Sequence, residues 1–120
     1  MPNMKESDIQ KLIMIAISEN GGIVFRNNCG VLLNPAGIPI RFGIGNPGGS
    51  DLIGIKPTII TADMIGQTIG VFMAIEVKTA TGRVTKEQQT FIDAVCRAGG
   101  RAGIARSVNE ALEIARQARA

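Results

Sequence analysis

The chain has 120 residues, 45% of them hydrophobic, a net charge of +3 and no His, Tyr or Trp. This length is typical of one domain with a core of its own, and no apolar run is long enough to cross a bilayer. The missing residue types exclude a histidine general base, a Ser-His-Asp triad, a His-bearing zinc finger and a tyrosine nucleophile. Carboxylate, Lys, Arg, amide and hydroxyl groups remain, and carboxylates pair naturally with a hard divalent cation. We expect a soluble, cytoplasmic domain spanning residues 1–120 that borrows its electrophile from a metal.

The positive charges are scattered along the chain rather than clustered. Charge alone therefore leaves open a solvated surface and a nucleic-acid partner. With only four Phe as aromatic residues, the chain lacks a base-stacking platform, so a nucleic acid would be held by its backbone. Cys29 and Cys96 are far apart and predict reduced, packed thiols rather than a disulfide or a zinc site.

In chain order, the pattern is a helix, several strands, a helix, a strand and a helix. Three helix starts have the spacing of a capping box, a Ser or Thr followed three residues later by Gln or Glu: Ser7/Gln10, Thr85/Gln88 and Ser107/Glu110. Six short apolar stretches have the composition of strands: residues 23–26, 31–33, 38–42, 51–56, 71–77 and 101–105. The stretch 71–77 is almost entirely apolar, which predicts a central strand. This order favours an α/β domain.

The glycine-rich stretch 43–51, GIGNPGGSD, contains the letters G-x-G-x-x-G. A dinucleotide-binding loop is followed by a helix, because the pyrophosphate sits on the helix N-terminus. Residues 52–55 have a strand pattern instead, and Pro47 lacks a backbone N–H for a phosphate. We interpret the glycines as a tight approach that delivers Asp51 to the start of a strand, with the phosphate loop as the weaker alternative.

Glu76 and Lys78 lie two residues apart at the end of a predicted strand, so they share one face. An antiparallel hairpin of residues 51–56 with 71–76 would set Asp51 opposite Glu76. Opposed carboxylates repel unless a proton or a cation bridges them. The alternative is a pair of solvated surface acids and a surface lysine. We favour a divalent metal, because Glu76 follows an apolar strand where a bare carboxylate is costly.

This constellation, Asp51 followed by Glu76-x-Lys78, resembles the signature of the PD-(D/E)XK nuclease superfamily, and its finer pattern is similar to the VRR-NUC family. The matching segments span almost the whole chain: Glu6–Gln10, Phe25–Asn28 with Gly30, Gly49–Gly54, Ile75–Thr79, Gly82-Arg83, Thr85–Gln88 and Gly99–Arg106. Ser50 stands where the family often has Pro. The resemblance implies a restriction-endonuclease-like core, a central mixed β-sheet flanked by helices.

The resemblance also implies roles for individual residues. Asp51, Glu76 and the Val77 carbonyl would bind Mg²⁺ or Mn²⁺, and Glu6 would reach the metal directly or through water. For Glu6, an acid that favours a helix N-terminus is an equal alternative. Lys78 would orient the attacking water and stabilise charge on the scissile phosphate. Gln88 shares the inward face of its predicted helix with Phe91, Ile92 and Val95, whereas Gln89 would face solvent. The resemblance makes Gln88 an active-site residue, although its spacing also fits pure capping.

As an activity, the resemblance implies a metal-dependent endodeoxyribonuclease that leaves a 5′-phosphate. Related resolvases of Holliday junctions are homodimers, so we expect a homodimer that prefers branched DNA, in a bacterial or phage-infected cell. Four residues could hold phosphates or be merely exposed: Arg26, Asn28, Arg41 and Arg83. The alternatives are a non-catalytic DNA-binding or assembly module on the same fold, and a sequence-specific restriction-like nuclease.

Overall fold

The computed structural model describes residues 4–116. Its elements are α1 (Glu6–Glu19), β1 (Ile23–Arg26), β2 (Gly30–Leu33), β3 (Pro39–Phe42), β4 (Leu52–Ile55), a 3-10 turn (Ala62–Met64), β5 (Met73–Val77), α2 (Lys86–Arg97), β6 (Arg101–Ala105) and α3 (Val108–Ala115). The predicted order of elements and the α/β class are confirmed. Among residues 4–116, no helix has the length and apolar character that a membrane span requires. Contacts divide the chain into two compact units, Met1–Lys56 and Pro57–Ala120.

The first unit is a helix packed on an antiparallel strand pair, with a separate hairpin. Helix α1 contacts β1, and β1 pairs with β4 in a register that sets Arg26 opposite Leu52. A Cβ atom on Gly54 would lie 2.2 Å from the Ile23 carbonyl oxygen, so the two strands approach closely only because this residue is glycine. Strands β2 and β3 form the hairpin, and the Asn34 side chain closes it by accepting from the backbone N–H groups of Ala36 and Ile38.

The second unit is a β-α-β crossover covered by a further helix. Strands β5 and β6 are parallel, and α2 connects them, as a parallel pair requires. Ile92 and Val95 on α2 and Ala105 on β6 are its buried hydrophobic residues among those described. Helix α3 packs on β6, where the Ile114 side chain lies against Gly103. This core holds the end of β5 and the start of α2 together.

One expectation about the sheet is wrong. In the described part of the chain, the strands form three two-stranded sheets rather than one central mixed sheet, and β4 pairs with β1 while β5 pairs with β6. The hairpin that would set Asp51 opposite Glu76 is therefore not among the pairings of residues 4–116. The apolar pattern of a segment identifies it as a strand but does not show which other strand pairs with it. Here β5 pairs with β6, the strand that follows it after α2.

Two further details differ from expectation. Helix α1 begins at Glu6 after Lys5, which makes no side-chain capping bond, so the Ser7/Gln10 box is not used. Both cysteines are free, as predicted, but they are exposed rather than packed. Each thiol donates to a backbone carbonyl, Cys29 to Ile44 and Cys96 to Ala102.

Candidate active site

Glu76 and Lys78 meet at the C-terminal end of β5. Both side chains are half-buried, whereas Val77 between them is 75% exposed, which is the alternation expected of a strand. The Lys78 Nζ atom lies 3.6 Å from Glu76 Oε1, an ion pair too long for a hydrogen bond. The Lys78 side chain is only 18% exposed. Its ammonium is therefore held at the carboxylate rather than extended into solvent.

Gln88 joins the pair from the first turn of α2. Its Nε2 donates to Glu76 Oε1 at 2.8 Å, and its Oε1 accepts from the Thr85 backbone N–H at 3.0 Å. The Thr85 hydroxyl in turn accepts from the Gln88 backbone N–H, which completes a capping box. The two interpretations of Gln88 are thus compatible. Because the backbone N–H must meet the amide oxygen, the cap turns the amide nitrogen towards Glu76.

The backbone of β5 presents a further oxygen at this place. The N–H of Arg101 donates to the Phe72 carbonyl, and the N–H of Lys78 donates to the Ala105 carbonyl, so the even-numbered residues of β5 bond to β6. In a parallel ladder, the odd-numbered residues then direct their N–H and C=O groups to the opposite edge. The Val77 carbonyl therefore lies on the edge of β5 that faces away from β6, next to Glu76 in the chain.

A cleft of about 320 Å³ opens beside Glu76. Strand β5 and helix α2 form its walls, and the lining residues are Ala74, Ile75, Glu76, Glu87, Gln88, Phe91 and Ile92. Its lining is largely apolar and includes the hydrogen-bonded Glu76 and Gln88 pair. A concave apolar surface with a few convergent polar groups is typical of a binding site.

Arg106 secures the turn that follows Lys78. Its Nη1 donates to the Thr79 carbonyl at 2.5 Å and to the Gly82 carbonyl at 2.8 Å. The Lys78 backbone is fixed from the other side by its bond to Ala105, the residue before Arg106. The sequence suggested only that Arg106 is one of several scattered cations. Arg106 and Thr79 are 27 residues apart in the chain, so no local sequence pattern indicated this contact.

Asp51 stands at the end of the glycine-rich loop, as predicted, but β4 begins one residue later, at Leu52, and not at Asp51 itself. Its carboxylate belongs to an exposed residue, and its backbone carbonyl accepts from the Asn27 N–H at 2.8 Å. Gly49 approaches the loop backbone so closely that a Cβ atom there would lie 1.9 Å from the Ile44 carbonyl oxygen. A strand follows the loop, not a helix, so the context of a dinucleotide site is absent.

The other predicted residues are exposed. Glu6 is the first residue of α1, Arg26 ends β1, Asn28 lies two residues beyond Arg26, Arg41 lies on β3 opposite Val31, and Arg83 precedes α2. Within residues 4–116, no group of three or more His, Cys, Asp or Glu side chains is arranged to hold a metal. Asp51 and Glu76 belong to different units, and the cluster of Glu76, Lys78 and Gln88 is formed within the second unit alone.

The fold and this cluster define an α/β protein with a carboxylate, an amine and an amide gathered at the end of a strand. Residues 3–109 match the VRR-NUC domain, and the chain belongs to that family. Membership implies a nuclease with DNA as its substrate. No curated protein and no solved structure is significantly similar to the chain.

Proposed function

We propose that this protein is a metal-dependent endodeoxyribonuclease with a PD-(D/E)XK-type site. The observation that carries the proposal is the Glu76 carboxylate, which is held between the Lys78 ammonium and the Gln88 amide at the end of β5. A structural ion pair needs no third partner, whereas a metal ligand is commonly oriented by hydrogen bonds from its surroundings. The family match extends across both units, which supports one nuclease domain made of both.

The donors suit a hard cation. Asp51 and Glu76 would supply carboxylate oxygens and Val77 a carbonyl oxygen, and oxygen-only ligation favours Mg²⁺ or Mn²⁺. Lys78 and Gln88 both contact Oε1 of the Glu76 carboxylate, which would be a ligand of the cation. Glu6 would add an acid directly or through water. A bound cation would polarise the scissile phosphate and lower the pKa of the attacking water.

Lys78 and Gln88 have separate tasks in this mechanism. The Lys78 ammonium lies 3.6 Å from Glu76, and it would orient the water and stabilise the charge that develops on the phosphate. Gln88 fixes the rotation of the Glu76 carboxylate, and the capping bond to Thr85 fixes Gln88. In-line attack would form a bond from the water oxygen to phosphorus and break the P–O3′ bond, so that the products are a 5′-phosphate and a 3′-hydroxyl, which takes up a proton.

The net charge of +3 supports a polyanionic substrate held by its backbone. Arg26, Asn28, Arg41 and Arg83 are exposed and able to contact phosphates. By the resemblance to resolvases of Holliday junctions, we propose a homodimer that acts on branched DNA such as a four-way junction or a flap.

The test uses labelled duplex, flap and four-way junction of unrelated sequences, with Mg²⁺, Mn²⁺ or EDTA. We expect cleavage of the branched substrates in either metal and none in EDTA. Cleavage confined to one sequence would replace the structure-selective enzyme with a restriction-like one. DNA binding with no cleavage in either metal would leave a non-catalytic binding module and overturn the proposal.

A further inference from the structure

The Asn27 side chain makes three hydrogen bonds to the loop before Asp51. Its Nδ2 donates to the Ile44 carbonyl at 2.8 Å and to the Ser50 carbonyl at 2.9 Å. Its Oδ1 accepts from the Ile44 N–H at 2.9 Å. The side chain thus binds the start and the end of the same loop and uses one acceptor and two donor positions.

The backbone of Asn27 also reaches Asp51. The register of β1 and β4 ends with Arg26 opposite Leu52, and the bond from the Asn27 N–H to the Asp51 carbonyl, at 2.8 Å, continues the ladder by one pair. Asn27 therefore donates to the carbonyl groups before and after the Asp51 Cα atom, to Ser50 through its side chain and to Asp51 through its backbone. These two hydrogen bonds restrict the conformation of the Asp51 backbone.

From these contacts we infer that Asn27 is a positioning residue, which holds the Gly43–Ser50 loop so that the Asp51 carboxylate is pre-set for a divalent cation. The inference rests on the proposed function, since it assigns the loop's order to metal binding. Its neighbour Asn28 has the opposite character, because it is exposed and no such side-chain network surrounds it among the described residues. Partners that orient a metal ligand typically contribute about 10- to 100-fold to metal affinity.

Asn34 provides a matched control in the same unit. Its side chain also builds a loop, by accepting from Ala36 and Ile38, but that loop joins β2 to β3 and carries no predicted ligand. Asn27→Ala and Asn34→Ala remove the same side chain from two loops, each of which is held by hydrogen bonds of that side chain. A merely structural role would make the two variants alike in metal binding.

The experiment is a calorimetric titration of the full chain with Mn²⁺, in the absence of DNA. We expect Asn27→Ala to weaken Mn²⁺ binding about 10- to 100-fold and Asn34→Ala to leave it unchanged. Asn27→Asp is the second variant in case the first does not fold. It keeps the acceptor for the Ile44 N–H and turns an oxygen towards the two carbonyls that the amide nitrogen contacts, so it should also lose affinity.

Hydrogen exchange followed by NMR gives a readout that needs no metal. The backbone N–H at position 27 survives in Asn27→Ala, and its acceptor is the Asp51 carbonyl, so its protection reports whether Asp51 has moved. Faster exchange at this amide is expected. Wild-type Mn²⁺ affinity in a folded Asn27 variant, or an equal loss in Asn34→Ala, would overturn the inference alone. Absence of Mn²⁺ binding by the wild-type chain would instead overturn the proposed function and the inference with it.

Discussion

Replacing Gln88 with Met tests the cluster at the end of β5. Met and Gln have similar helix propensities and lengths, so α2 itself should be little affected. The variant loses the bond donated to the Glu76 carboxylate, which is worth about 1.5–3 kcal/mol for a charged acceptor. Because the Glu76 side chain is 33% exposed, we take the lower end of that range. It also loses the bond from the Thr85 N–H, worth about 0.5–1.5 kcal/mol.

Part of this loss is recovered, because the Met side chain packs in the cleft beside Phe91 and Ile92 and gains about 1 kcal/mol. The unfolding free energy should therefore fall by about 1–2 kcal/mol. Gln89→Met is the control. Gln89 is exposed and donates to Asp93 one turn further on, a pair worth only about 0.2–0.5 kcal/mol.

The assay is urea unfolding in EDTA, followed by far-UV circular dichroism because the chain has no Trp or Tyr for fluorescence. On branched DNA with Mn²⁺, Gln88→Met should lower kcat about 10- to 100-fold, in line with loss of a partner that orients a metal ligand. Gln89→Met should keep wild-type cleavage. Equal destabilisation by the two substitutions, or unchanged kcat in Gln88→Met, would refute the assigned role of Gln88.

Three further outcomes are expected. Arg106→Ala should lower the free energy of unfolding in urea by about 1–3 kcal/mol, because two carbonyls of the Thr79–Gly82 turn lose their donor. The control Arg116→Ala, at an exposed ion pair, should lower it by about 0–1 kcal/mol, and equal losses in the two variants would contradict the role of Arg106. Lys78→Met should abolish cleavage, whereas Lys86→Met should keep it. In Lys78→Met, the slope of the logarithm of the DNA-binding constant against the logarithm of the salt concentration should change by about one at most. Cleavage by Lys78→Met would remove Lys78 from the mechanism. Binding measured against salt should give a linear log–log plot with a slope of about 0.9 per phosphate contacted, and a flat plot would exclude backbone recognition.

Local signals predicted the elements well. The Thr85/Gln88 capping box is present in full, since helix starts depend on residues only three apart. Ser107 caps α3 as expected, but the Glu110 carboxylate accepts from the N–H of Arg106 instead of the N–H of Ser107. Such one-residue shifts are typical of helix ends. Strand pairing was less accessible, because apolar alternation is the same whichever neighbour fills an edge.

In the candidate site, too, local features were predictable from the sequence and long-range contacts were not. Alternation along a strand was enough to place Glu76 and Lys78 on one face, and helix periodicity was enough to turn Gln88 inward. The contacts of Asn27 and Arg106 were not predictable, because each side chain bonds backbone carbonyls 17 or more residues away. Every residue has a backbone carbonyl, so the residue types of the accepting segment do not indicate such hydrogen bonds in the sequence.

The central claim of the proposed function is that Asp51 and Glu76 are each a ligand of a divalent cation. Calorimetric titration of Asp51→Asn and Glu76→Gln with Mn²⁺ tests it most directly, with Asp93→Asn as a control at an exposed acid. Each substitution of a proposed ligand is expected to remove Mn²⁺ binding, whereas the control should bind Mn²⁺ as the wild type does. Wild-type Mn²⁺ affinity in either single variant would contradict the claim.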